Sequence, residues 1–300
     1  MSLSLVDRGG PPVSAVLTLI AFSLFGLSAV AQFRIEARAV LVDVAVFDEG
    51  PVVDLRRDDF ELYEAGEPVP FRLLDPASLP VTVLFAMDVS ASTVGERRRH
   101  LGAGAALFAG GLTDRDSCAV IAFAMESFWV RDFAPCDPEV GNDVQVTPAG
   151  GATALRDSVI LALAALHGPE GRRVLLFFTD AYDNFSWAAE DFVMTTARGS
   201  EALVYAIVAR PPRVVSFFGP TDDGYRLIRE VAELSGGRLL EVTADDDLAG
   251  AYQEVLEELR TRYVLSFTPN PELDGFVPIE VRVKRRGVDI RARPGYVARR

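Results

Sequence analysis

Uninterrupted apolar runs that end on an oxygen-bearing side chain constrain this chain more than any other feature. Val81-Thr82-Val83-Leu84-Phe85-Ala86-Met87 runs into Asp88, and Val174-Leu175-Leu176-Phe177-Phe178-Thr179 runs into Asp180. Continuous apolar segments bounded by polar turns read as strands buried on both faces, the pattern of a parallel sheet covered by helices. In open sheets of that kind, ligands bind beyond the carboxyl ends of the strands, where both aspartates stand. The first is followed by Val89-Ser90-Ala91-Ser92; a third loop, Gly150-Gly151-Ala152-Thr153, adds a hydroxyl after two glycines that permit close approach. Asp88, Ser90, Ser92, Thr153 and Asp180 therefore offer two carboxylates and three hydroxyls, a donor set suited to one hard divalent cation. A helix cap and turn network would account for one or two of these hydroxyls. It does not explain Thr153 and Asp180 arriving in matching loops.

The pattern divides the rest of the chain. Residues 32–78 alternate in strand fashion through Val40, Val42, Val44 and Val46. A predicted hairpin follows, Phe60–Tyr63 and Val69–Arg72 across Ala65-Gly66-Glu67. Residues 79–262 alternate strands with helices predicted at Gly95–Gly110, Ala154–His167, Ala188–Ala197, Tyr225–Leu234 and Asp247–Arg260. Asp116–Phe123 and Phe128–Phe133 are expected to add an antiparallel edge. Residues 263–300 return to strands, and neither terminal set makes a stable sheet alone. The expected fold is α/β: a doubly wound, mostly parallel, Rossmann-like sheet with one antiparallel edge strand. A small β module from the N- and C-terminal segments packs beside it. Gly102-Ala103-Gly104 lies inside a helix, far from a strand end, and reads as close helix packing rather than a nucleotide loop.

The order Asp-x-Ser-x-Ser, then a loop Thr, then an Asp in a Thr-Asp turn resembles the von Willebrand factor A domain and its metal-ion-dependent adhesion site. The five residues named above fall on all five positions of that pattern. Two positions depart from it: Ala152 stands where Gly often precedes the Thr, and Ala181 replaces the Gly after the Asp, where a positive φ is less comfortable for Ala. The flanking segments resemble an acidobacterial-type secreted subgroup, and the likeness spans about Phe33 to Ala298. It implies Mg²⁺, with Mn²⁺ or Ca²⁺ as substitutes, held directly or through water, and a partner protein whose Asp or Glu fills the open coordination position. In that family ligand binding can move the last helix, here Asp247–Arg260.

Composition narrows the alternatives. A formal charge of −13 argues against a nucleic-acid binder, which needs a basic face. Eight Arg/Lys lie between Arg282 and Arg300, read as the solvated face of a strand. Residues 1–31 read as an export signal, with an uncharged stretch from Val13 and a small-x-small end at Ala29-Val30-Ala31; uncleaved, it would be a membrane anchor. The expected location is therefore secreted or cell-envelope. Cys118 and Cys136 could pair across the edge hairpin or remain separate thiols, because a one-residue register change decides which. No catalytic residue is assigned. A metal-dependent hydrolase would need a Lys or Arg placed for phosphate, and Lys284 is the one lysine in the chain, far from Asp88. The other alternative is a metal-independent structural subunit of an envelope complex.

Overall fold

The computed structural model describes residues 39–93, 95–148, 150–168, 171–209, 222–243 and 247–298. The expected export signal, residues 1–31, lies outside them. Among the described residues no helix is long and apolar enough to cross a membrane.

Strands β1 (Val40–Phe47), β2 (Phe60–Glu64), β3 (Glu67–Pro68) and β4 (Phe71–Leu74) come first. Strand β5 (Val81–Asp88) and helix α1 (Glu96–Gly110) open the α/β part, followed by β6 (Ser117–Phe123) and β7 (Ser127–Pro135). Next come α2 (Val140–Val146), α3 (Leu155–Ala165), β8 (Arg172–Thr179), α4 (Glu190–Gly199) and β9 (Leu203–Ala209). Helix α5 (Asp222–Ser235), β10 (Arg238–Val242) and α6 (Leu248–Thr261) complete it. Strands β11 (Tyr263–Phe267), β12 (Gly275–Val283), β13 (Asp289–Arg291) and β14 (Gly295–Ala298) close the chain.

The central sheet has the order β10-β9-β8-β5-β6-β7, parallel except for the β6–β7 edge pair. As the apolar runs require, β5, β8 and β9 are buried along their whole length. Alternation along β5 feeds two cores: Val83, Phe85 and Met87 join the side of α1, α2 and α6, while Leu84 and Ala86 join the side of α3, α4 and α5. Helix α6 sits close on α1 because α1 lacks side chains where it passes. A Cβ at Gly104 would lie 2.3 Å from the Tyr252 ring, and one at Gly111 the same distance from Leu256. Gly102 instead lets α2 approach, since a Cβ there would meet the carbonyl of Gly141 at 2.6 Å. The short helix α2 has no counterpart in the sequence reading; its seven residues bury Val140, Gly141 and Val144. Too few turns are present to give a period.

The terminal strands form two four-stranded sheets, β13-β1-β11-β4 and β14-β12-β2-β3, which share one core of Val42, Val44, Leu62, Leu265, Phe267 and Val277. Each sheet mixes strands from both ends of the chain, as expected. The hairpin expectation needs correcting. The turn at Ala65-Gly66 and the start of the return are as expected: β3 pairs with β2, and the Val69 N–H donates to the Leu62 carbonyl at 2.9 Å. Beyond it β4 leaves for the other sheet and pairs with β11.

An ionic hub joins the two parts. Arg262, fully buried, donates to the Tyr205 hydroxyl at 3.0 Å, to Glu258 Oε1 at 3.0 Å and to the Asp43 carbonyl at 3.2 Å. Glu258 also takes Arg291 at 2.7 Å and Arg238 at 2.7 Å. Burial works to raise the Glu258 carboxyl, but the surrounding guanidinium groups, Arg262 foremost, hold it down to about 2. Several C-terminal cations are paired, two of them on the solvated face. Arg282 pairs with Glu280 and Arg285 with Asp54, while Arg293 is buried against carbonyls of Gly295 and Ser200. Cys118 and Cys136 form a disulfide, closing the alternative the sequence leaves open.

Candidate functional site

Asp88 ends β5 with no exposed surface, and Asp180 follows β8 almost as deeply buried. Ser90 and Thr153 are also buried, whereas Ser92 is exposed. These residues occupy three loops, and each pair of loops is tied directly. Between the first and second, the Gly150 N–H donates to the Val89 carbonyl at 2.9 Å and the Ala91 N–H to the Gly151 carbonyl at 3.3 Å. Gly150 and Gly151 hold positive φ values of 141° and 86°, so the two glycines are used as expected. Between the second and third, the Thr153 N–H donates to Asn184 Oδ1 at 2.8 Å, and the N–H groups of Asn184 and Phe185 return to the Thr153 carbonyl at 3.0 Å. The first loop meets β8 through the Thr179 hydroxyl, which donates to Asp88 Oδ2 at 2.8 Å.

Local bonds fix the side chains further. Asp88 Oδ1 accepts the Ser90 N–H at 2.9 Å, and the Ser90 and Ser92 hydroxyl oxygens lie 3.2 Å apart. Asp180 Oδ1 accepts the Tyr182 N–H at 3.2 Å. Ala181 adopts φ 66°, the left-handed conformation that glycine takes without cost.

Electrostatically the place is poised for positive charge. Burial, and secondarily the Asp180 charge, push the Asp88 carboxyl up to about 6. Among the described residues neither carboxylate takes part in an ion pair, and no cluster of three or more His, Cys, Asp or Glu side chains is present. Two adjoining carboxylates supplemented by hydroxyls fit a hard divalent cation, which would offset the charge Asp88 carries near neutral pH.

Three contributors escaped the sequence reading. Thr179 receives the Ala181 N–H on the same oxygen that donates to Asp88. The Thr93 hydroxyl closes the first loop onto the Ser90 carbonyl at 2.9 Å. Arg98, buried on α1, spans two loops by donating to the carbonyls of Thr93 and Thr147. Thr179 stands in the Thr-Asp turn of the pattern without a role of its own there; Thr93 and Arg98 give no periodic or motif signal, so only the fold locates them. Beyond Asp180, Asn184 bonds the Thr153 loop, and Asp183 pairs with Arg156 at 2.7 Å.

No protein-family model matches the chain, and no curated protein matches it. Solved structures do. The proximal thread matrix protein 1 of the mussel byssus is 13% identical with a TM-score of 0.50, over 73% of this chain and 50% of that one. A von Willebrand factor type A protein from Catenulispora acidiphila is 14% identical with a TM-score of 0.49, over 73% of this chain and 55% of that one. The von Willebrand factor domain of a type V pili tip protein from Porphyromonas gingivalis is 11% identical with a TM-score of 0.43, over 60% of this chain and 94% of that one. The likeness is one of fold. The chain spans about half the length of the mussel and Catenulispora proteins.

Proposed function

We propose that this chain is an exported von Willebrand factor A-type binding protein of the secreted acidobacterial kind. Asp88, Ser90, Ser92, Thr153 and Asp180 hold one Mg²⁺, or Mn²⁺ or Ca²⁺ in its place, and a partner protein supplies an Asp or Glu to its open position. One observation carries the reading: three loops bearing five oxygen-carrying side chains are bonded pairwise beside Asp88, a buried carboxylate that forms no ion pair among the described residues. Bound there, the cation supplies the attraction that lets an acidic protein hold an acidic ligand. The chain's own residues exclude water from Asp88 and hold the hydroxyls of Ser90 and Ser92 side by side. Binding is favoured over hydrolysis because Lys284 is committed to the β sandwich, where its Nζ donates to the Asp58 carbonyl at 2.7 Å.

Calorimetric titration of Mg²⁺ into the full chain tests this. The wild type is expected to bind and Asp180→Asn to bind much more weakly while remaining folded. Equal heats from both proteins would remove Asp180 from the site and defeat the proposal.

A further inference from the structure

The partner surface extends beyond the cation. The second loop is flanked on both sides by segments that expose large apolar side chains. On one side the tip of the β6–β7 hairpin accepts the Ala154 N–H on the Ala124 carbonyl at 2.7 Å, and Met125 packs where a Cβ on Gly151 would lie 3.2 Å away. That hairpin exposes Met125, Phe128 and Trp129. On the other side Phe185 is bonded to the Thr153 carbonyl, and the segment running on from it exposes Phe185, Trp187 and Phe192. The chain has two tryptophans, and both are here, 45% and 91% exposed.

The backbone that carries these aromatics is fixed. Asp157, in the first turn of α3, accepts the N–H groups of Trp187 and Ala188 at 3.0 and 2.8 Å. Ser186 Oγ accepts the Arg156 N–H at 3.0 Å, and the hairpin is fixed to the same helix by Ser127 and Ser158 hydroxyls 3.0 Å apart. A backbone fixed this way lowers the ordering cost of binding, and Trp is among the side chains that dominate interface energetics. Among the carboxylates nearby, Asp183 pairs with Arg156, Glu190 with Arg226 and Asp157 with backbone N–H groups, while Glu126 at the hairpin tip and Asp191 on α4 are exposed. The rim therefore sets large apolar contacts, interspersed with two carboxylates, around the cation position.

We propose that the occupant is a polypeptide segment carrying one Asp or Glu flanked closely by aromatic or aliphatic residues, its carboxylate on the cation and its apolar side chains on Trp129 and Trp187. This rests on the cation reading above. It assigns selectivity to residues outside the five oxygen donors. A carboxylate alone would not distinguish one acidic protein from another.

A random peptide library displayed on phage, bound to the full chain in Mg²⁺ and released with EDTA, tests it. Released peptides are expected to share one acidic residue with apolar residues at adjoining positions. A synthetic consensus peptide should shift the tryptophan emission to the blue. Trp187→Ser, and separately Trp129→Ser, should weaken that peptide about tenfold or more while Mg²⁺ affinity stays unchanged. Acidic peptides without apolar enrichment, or peptide affinity unchanged from wild type in either variant, would overturn the proposal. So would concentration-dependent dimerisation abolished by Trp187→Ser, which would give the rim to a second copy of the chain. Failure of the wild type to bind Mg²⁺ at all would be a different result, sinking the cation reading on which this one stands.

Discussion

Replacing Asp88 by Asn should make the cation-free protein more stable. In the folded state burial first, and the Asp180 charge second, raise this carboxyl from its ordinary 3.8 to about 6. The folded form thus holds the proton more tightly than the unfolded chain. Its contribution is most favourable below the unfolded value and is lost as pH rises towards 6, so neutral solution carries the full penalty. Moving a carboxyl that far corresponds to about 3 kcal/mol. Asn removes the charge but gives up one acceptor, and the Thr179 hydroxyl now bonded to Asp88 must find another arrangement. A lost hydrogen bond of that kind costs about 1 kcal/mol. The expected net gain is therefore about 1–3 kcal/mol near neutral pH, vanishing or reversing at about pH 4. Urea denaturation of both proteins in EDTA at the two pH values measures it. Adding Mg²⁺ should then raise the wild-type midpoint and leave that of Asp88→Asn unchanged. A variant no more stable than wild type in EDTA at neutral pH, or one stabilised equally by Mg²⁺, would refute the reasoning.

Other substitutions read different parts of the fold. Glu258→Gln leaves Arg262 buried without its charged partner and should cost about 3–5 kcal/mol by denaturant titration. Because the Glu258 carboxyl is depressed to about 2, its contribution is present above its ordinary 4.5 and disappears as pH falls through about 2, which acid titration of the wild type should reveal. Gly104→Ala places a methyl against the Tyr252 ring and should destabilise by about 1–3 kcal/mol, visible as a lower melting temperature. Ala181→Gly should instead stabilise by up to about 1 kcal/mol, since φ 66° strains Ala and suits Gly. Removing the Cys118–Cys136 crosslink, whose cysteines are 18 residues apart, should cost about 3 kcal/mol through the larger unfolded-state entropy, measured with both cysteines changed to Ala.

The parallel sheet was legible because β5, β8 and β9 are buried on both faces and therefore written as apolar runs; the edge strand β10, with Arg238 and Glu241, is only partly buried. The three loops were legible because the oxygens of Asp88, Ser90, Ser92, Thr153 and Asp180 must stand at strand ends or after glycines. What could not be read is set by tertiary contact. Nothing local distinguishes Arg98 from its neighbours Arg97 and Arg99, yet it alone of the three is buried beneath the loops. The path of β4 escaped because Val69–Arg72 carries strand propensity for either sheet, and the choice belongs to β11, nearly two hundred residues later. The state of Cys118 depended on irregular β6–β7 register around Val120, which no alternation pattern encodes.

The β sandwich has a consequence for the order in which the molecule is made. Strands β1 and β2 find partners β11, β13 and β12 only after the whole α/β segment has emerged. Until then β1 lacks both its neighbours and β2 has only β3, and such exposed faces and edges are prone to aggregate. Pairing across that interval closes a long loop, which slows assembly. The late strands thus act as a check on the finished chain: a product truncated before Tyr263 could form its central sheet and still leave its opening strands unmatched.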